Sequence, residues 1–309
     1  MEPIRSANDA LQRAGPLAEA GDWQGLFETM TAALERFGSY RGMMEYYLLC
    51  AAARLDRKDF VLEALDRMAG RGDWYSETIF RQTPSFAPFQ GDPRFEALLA
   101  RHRAVMDADP GLASPTVLER PAAGTDRGVA VMVLHGNGGS TLDEAPRWRG
   151  LVGLGCTLAM PESGQQILMR GTYGWDDEEA TFATMRAFIA EHDLPTGDRL
   201  VLGGFSLGGG MALKAALTGV IPCRGLVLFA PYIPDEADWR SWMERAPGRL
   251  RGTMLVGRDD EQPELLGTIA QALTDAGHPF VLETMPGGHE YPADFDAWLG
   301  RAIDVVLGN

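Results

Sequence analysis

Arg199-Leu200-Val201-Leu202-Gly203-Gly204-Phe205-Ser206-Leu207-Gly208-Gly209-Gly210-Met211-Ala212-Leu213-Lys214-Ala215-Ala216-Leu217 sets one serine among glycines, between two apolar runs. The first run is short, as a buried strand requires, and the second is made of good helix formers. Gly204-Phe205-Ser206-Leu207-Gly208 therefore reads as a G-x-S-x-G turn between strand and helix. Such a turn holds its serine in a strained conformation, with the hydroxyl exposed at the sheet edge. Glycine is needed on steric grounds, because a side chain two positions to either side would collide across so sharp a bend.

Outward from this turn, residues 129 onward alternate between strand and helix patterns. Val129 to Leu134, Cys156 to Met160, Gly225 to Phe229, Thr253 to Val256 and Phe280 to Thr284 read as strands. Helices are expected at about Glu178 to Ala190, Pro263 to Ala276 and Phe295 to Leu307. That alternation implies βαβ units and a mainly parallel sheet. Ligands of such sheets bind beyond the carboxyl ends of the strands.

A serine hydroxyl needs a base, and the chain offers five histidines. His102 lies in a helical stretch, His135 ends the Val129 strand, His192 follows a helix, and His278 precedes the last strand. His289, in Pro286-Gly287-Gly288-His289-Glu290-Tyr291, follows that strand on a glycine-bearing loop that can reach inward. The histidine needs a carboxylate in turn. The Thr253 strand ends in Gly257-Arg258-Asp259-Asp260-Glu261, where the spacing favours Asp260, then Asp259, then Glu261. Oxyanion donors are expected from the Leu207 N–H and from His135-Gly136-Asn137-Gly138-Gly139, with Asn137 first and Gly138 behind it. These glycines satisfy neither G-x-G-x-x-G nor a P-loop. In Arg170-Gly171-Thr172-Tyr173-Gly174-Trp175, Tyr173 and Trp175 either line a substrate pocket with Gly138 or pack as ordinary aromatics.

Residues 7 to 106 follow a different pattern. Apolar residues recur at helical spacing in Leu26, Phe27, Met30, Ala33 and Leu34, and again in Val61, Leu62, Ala64, Leu65 and Met68. Gly21-Asp22-Trp23 is echoed by Lys58-Asp59-Phe60, a period suited to stacked helix pairs. The stretches Leu48 to Gly72 and Asp92 to Leu99 resemble tetratricopeptide-type repeats. Breakers at Asp109-Pro110-Gly111, Ser114-Pro115 and Pro121 mark a linker, with Val117 to Arg120 as a short edge strand. The expected division is a helical domain over 1–110 and a second domain over 111–309.

Bulk composition narrows the function classes. With 309 residues, 45% of them hydrophobic, the chain can build two domains and a sizeable core. A formal charge of −15 disfavours a nucleic-acid surface and binding to anionic membranes. Cys50, Cys156 and Cys223 lie far apart, which offers no disulfide framework or zinc site. The first residues lack a secretory apolar stretch, and no window reaches the length of a membrane helix. A cytoplasmic protein is expected.

The four motifs HGNGG, GFSLGG, GRDD and GGHEYP, in that order, make Val117 to Leu307 resemble the α/β-hydrolase superfamily. Within it the chain is most similar to carboxylesterase, phospholipase/carboxylesterase and dienelactone-hydrolase-like members. The resemblance implies Ser206, Asp260 and His289 as triad, Asn137 and Leu207 as oxyanion donors, and hydrolysis without metal or cofactor. Dienelactone hydrolases proper carry cysteine where Ser206 stands. The expected activity is cleavage of a soluble, small-molecule acyl ester. A peptidase, thioesterase or acyltransferase on the same machinery, or a repeat-type interaction protein with a hydrolase scaffold, are the alternatives. The segment between Phe229 and Thr253 is too short for a long lid. An apolar helical face is expected to dock over the active site instead, or to bind a protein partner or a second copy.

Overall fold

The computed structural model describes residues 3–37, 41–109, 116–234 and 237–308. The linker breakers at 110–115 lie outside these residues. The chain forms two compact units, one of residues 1–112 with 167–171 and the other of 113–166 with 172–309.

The first unit is helical: α1 (Ala7–Glu19), α2 (Trp23–Arg36), α3 (Arg41–Arg54), α4 (Lys58–Gly70), α5 (Glu77–Gln82), a 3-10 turn (Pro84–Phe89) and α6 (Pro93–Ala108). Ser6, Asp22 and Asp92 cap α1, α2 and α6, each accepting hydrogen bonds from first-turn N–H groups. Helix packs on sequential helix from α1 to α4, and α4 packs on α6. Leu26, Met30, Ala33, Val61, Leu62, Leu65 and Met68 are buried, as their spacing requires. Phe80 sits edge-on to both Phe86 (5.0 Å) and Phe95 (6.0 Å) in the same core.

Residues 167–171 belong with these helices, whereas the sequence division assigns them to 111–309. Backbone pairing is the physical reason. Met169 bridges Tyr75, the Ser76 N–H donates to the Leu168 carbonyl (2.6 Å), and the Arg170 N–H donates to the Trp74 carbonyl (3.1 Å). The Met169 side chain is buried in the helical core, over the bare Cα of Gly42.

The second unit runs β1 (Val117–Glu119), β2 (Val129–Leu134), α7 (Thr141–Trp148), α8 (Gly150–Gly153), β3 (Cys156–Met160), β4 (Gln165–Gln166), β5 (Tyr173–Gly174), α9 (Glu178–Glu191), β6 (Gly197–Phe205), α10 (Ser206–Leu217), β7 (Cys223–Phe229), α11 (Trp239–Glu244), β8 (Arg251–Gly257), α12 (Pro263–Asp275), β9 (Phe280–Met285) and α13 (Phe295–Leu307). Among the described residues the main sheet has the order β1-β3-β2-β6-β7-β8-β9. Only the β1–β3 pairing in it is antiparallel.

Alternate residues of β2 enter opposite cores, as a period of two dictates. Ala130, Met132 and Leu134 join the cluster that includes α9, α10 and α12 residues, while Val129, Val131 and Val133 join Trp148, Leu151 and Trp298. The chain leaves β2 towards β3 on one side and returns to β6 on the other. That reversal opens a crevice at the carboxyl ends of β2 and β6. The short elements α7, α8, α11, β4 and β5 are not foreshadowed in the sequence patterns.

Candidate active site

Parallel pairing of β2 with β6 sets Leu134 beside Gly204, so the HGNGG loop and the serine turn leave the sheet side by side. Ser206 takes the left-handed conformation, with φ of 53°. A non-glycine residue there is strained by about 1–3 kcal/mol, which the surrounding fold must sustain. A Cβ on Gly204 would lie 2.7 Å from the Gly208 and Gly209 backbone, and one on Gly208 only 2.2 Å from the His135 carbonyl. Neither position has room for a side chain. Gly136 is equally constrained: its Cβ would fall 2.7 Å from the Phe205 ring and 3.5 Å from Ser206 Cβ. The loop backbone therefore lies directly against the serine.

β8 and β9 pair in register, with Val256 opposite Thr284 and Gly257 opposite Met285, so the acid and histidine loops also emerge together. The Arg258 N–H donates to the Met285 carbonyl (2.9 Å) and the Asp259 N–H to the Gly287 carbonyl (3.0 Å). These bonds leave Asp259 facing solvent and turn Asp260 inward. The Asp260 carboxylate, 5% exposed, lies 3.0 and 3.1 Å from His289 Nδ1. Glu261 points outward. The imidazole packs on the ring of Phe205, the residue before Ser206, with centroids 4.7 Å apart.

The other histidines are engaged elsewhere. His102 accepts from the Tyr75 N–H, and His278 from the Leu250 N–H. His192 packs against Phe188, and His135 is wholly buried with Nε2 2.6 Å from Glu162.

In the HGNGG loop, the Gly138 N–H donates to the Tyr173 carbonyl (2.8 Å) and the Tyr173 N–H returns a bond to the Gly139 carbonyl (2.9 Å). The Gly138 N–H is thus engaged with Tyr173, which leaves Asn137 as the loop's first candidate donor. Asn137 is exposed, and its N–H has no partner among the described residues. The Leu207 N–H belongs to the first turn of α10, where no intrahelical acceptor exists.

Tyr173 is buried, and its backbone pairs β5 with the HGNGG loop. Trp175 is 1% exposed and donates its indole N–H to the His135 carbonyl (2.9 Å), while one edge borders a cleft. That cleft, of about 510 Å³, runs along α10 past Leu207, Met211 and Lys214, with Tyr232, Ile233 and Trp242 opposite. Seven residues of helix give it a length of roughly 10 Å from the serine turn. Its far end is closed by Lys214, which pairs with Glu178 and lies 4.9 Å over the Trp242 ring. The Gln262 amide brackets the Ile233 backbone with bonds of 2.8 and 2.9 Å, fixing the cleft wall.

Several functional candidates escape sequence reasoning. Trp242 and Lys214 carry no local motif, and Glu144 is one of two adjacent acids in the first turn of a short helix that contains Pro146. Glu144 is buried and raised above the usual carboxylate range, chiefly by desolvation, while bonding from Tyr291, nearby His135 and the Gly136 N–H draw it back. Among the described residues no group of His, Cys, Asp and Glu side chains is arranged to hold a metal ion, and no helix is long and apolar enough to cross a membrane.

No protein-family model matches this sequence, and neither does any curated protein. Solved structures do. An uncharacterized protein from Bacillus cereus ATCC 10987 is 18% identical over 98% of this chain and 99% of its own, with a TM-score of 0.53, a likeness of fold. A carboxylesterase of Bacillus cereus is 13% identical over 64% of this chain and 96% of its own, at a TM-score of 0.46. An S-formylglutathione hydrolase of Staphylococcus aureus is 16% identical over 61% of this chain and 82% of its own, at 0.44.

Proposed function

We propose that this protein is a serine hydrolase that cleaves a soluble carboxylic ester through an acyl-enzyme. The observation that carries the reading is a serine held at positive φ between strand and helix, followed in chain order by an Asp260–His289 pair whose imidazole lies on the Phe205 ring. In this reading Ser206 Oγ attacks the ester carbonyl while His289 Nε2 takes its proton. Asp260 holds Nδ1–H and stabilises the imidazolium. The Asn137 and Leu207 N–H groups receive the developing oxyanion, helped by the positive end of α10. Collapse expels the alcohol, which takes the proton from His289, and water repeats the sequence to release the acid. The cleft along α10 receives the acyl chain, with Met211, Ile233 and Trp242 as its apolar walls. The helical unit is read as tetratricopeptide-like, for which the sequential packing of α1 to α4 is the support.

A fluorophosphonate probe tests the chemistry. Folded wild-type protein is expected to label at Ser206, and Ser206→Ala to lose both labelling and ester hydrolysis. A folded wild type that takes no probe overturns the reading. Rates on p-nitrophenyl esters from acetate to palmitate, set beside thioester and peptide substrates, then separate esterase from thioesterase, peptidase and acyltransferase activity.

A further inference from the structure

One buried carboxyl group lies between two loops of the site and has no part in the proton transfers described above. Glu144 sits on α7, directly behind the HGNGG loop. The Tyr291 hydroxyl donates to its Oε2 (2.5 Å), and the Trp148 indole N–H donates to the Tyr291 oxygen (3.1 Å). Its Oε1 lies beneath the loop, 4.0 Å from where a Gly139 Cβ would stand, and the Gly136 N–H faces the same carboxyl. α7 itself is fixed at its start, where the Thr141 N–H donates to the buried Glu162 carboxylate (2.9 Å) and the Thr141 hydroxyl donates to the Pro161 carbonyl (2.9 Å).

Tyr291 stands two residues beyond His289. Its ring packs on Phe205 (4.9 Å), Phe229 (4.5 Å) and Phe295 (4.8 Å), and Phe205 in turn carries the His289 imidazole. A buried carboxyl left without its donors would be costly, so both loops are held to the place where their donors meet it.

We propose that Glu144 is a positioning residue that ties the loop bearing the oxyanion donors to the loop bearing His289. It sets both at their working distance from Ser206. This rests on the serine-hydrolase reading. The general cost of loosening such a frame is in rate more than in substrate affinity, because the geometry matters most as charge develops at the reacting centre.

The test uses Glu144→Ala, Glu144→Gln and Tyr291→Phe in the full chain, with kcat counted per fluorophosphonate-titrated site. Counting this way removes any loss of folded protein from the comparison. Glu144→Ala is expected to lower kcat by about tenfold or more with KM within about twofold. Tyr291→Phe, which keeps the ring packing and removes only the hydroxyl, is expected to fall in the same direction by less. Glu144→Gln is expected to recover most of the loss, since its amide oxygen still accepts a proton bond. An unchanged kcat per titrated site in folded Glu144→Ala overturns the proposal. Should that variant not fold, an unchanged Tyr291→Phe overturns it equally. Failure of the parent reading is seen separately, as wild-type protein that takes no probe.

Discussion

The helical unit and the sheet unit spend their sequences on different problems. In the helical unit, side-chain volume is what matters: Leu26, Met30, Val61, Leu65 and the Phe80–Phe86–Phe95 group fill the space between successive helices. In the sheet unit, the critical positions are those where volume is forbidden. Gly136, Gly204, Gly208 and Gly257 have no room for a Cβ: a second stretch of backbone lies against each of the last three, and the Phe205 ring lies against Gly136. A close-packed core yields gradually to substitution, whereas a backbone crossing does not. The two kinds of constraint therefore predict two kinds of mutational response, graded in one unit and abrupt at the obstructed glycines of the other.

The sharpest break in the sheet unit is expected between neighbouring aspartates. Asp260→Asn should lower kcat by about 10⁴-fold, as loss of the tautomer-fixing carboxylate does in a serine triad. Asp259→Asn, one residue away but facing solvent, should stay within about twofold. Steady-state rates on one ester decide it, and equal losses in both variants would sink the assignment of Asp260. A smaller and graded effect is expected in the helical unit from a residue far away in sequence. Met169→Ala should cost about 2–5 kcal/mol of stability by opening a cavity in the helical core. Hydrogen exchange reads this locally: protection should fall across α3 and α4 and persist in β7 and β8. Loss confined to the strands would contradict the place of Met169 among the helices.

These contrasts explain what the sequence makes legible. The serine turn is readable because sterics leave few residue types able to make it, and the strand patterns around it are readable because both faces of β2, β6 and β7 are buried. Choosing between Asp259 and Asp260 is harder, since it depends on two backbone bonds, from Arg258 and Asp259, to a loop 27 residues or more away. The backbone role of Tyr173 is hidden for a related reason. An aromatic residue on a strand-end loop suggests a pocket wall, whereas its pairing with the HGNGG loop is made by the backbone and leaves no side-chain signature. Trp175 divides its surface, with the indole N–H on the His135 carbonyl and an edge at the cleft. Met169 and Glu144 have no local signal at all, because each is defined by partners distant in the chain.

The smallest expected effect tests whether abruptness belongs to the sheet unit as a whole or only to its obstructed glycines. Gly267 lies inside α12, in the same unit as Gly208 but remote from the serine turn in sequence. A Cβ there would meet Leu282 at 3.8 Å, an ordinary van der Waals contact, and the backbone is not left-handed. Gly267→Ala should therefore stabilise the protein by about 0.5–1 kcal/mol, through the lower entropy of the unfolded chain and the better helix propensity of alanine. Thermal unfolding measures the gain, and kcat should be unchanged. If Gly267→Ala instead lowers stability, tight backbone tolerance extends through the whole unit. If it raises stability, the intolerance is confined to glycines with another backbone or a ring pressed against them, among them Gly204 and Gly208 on either side of the strained serine.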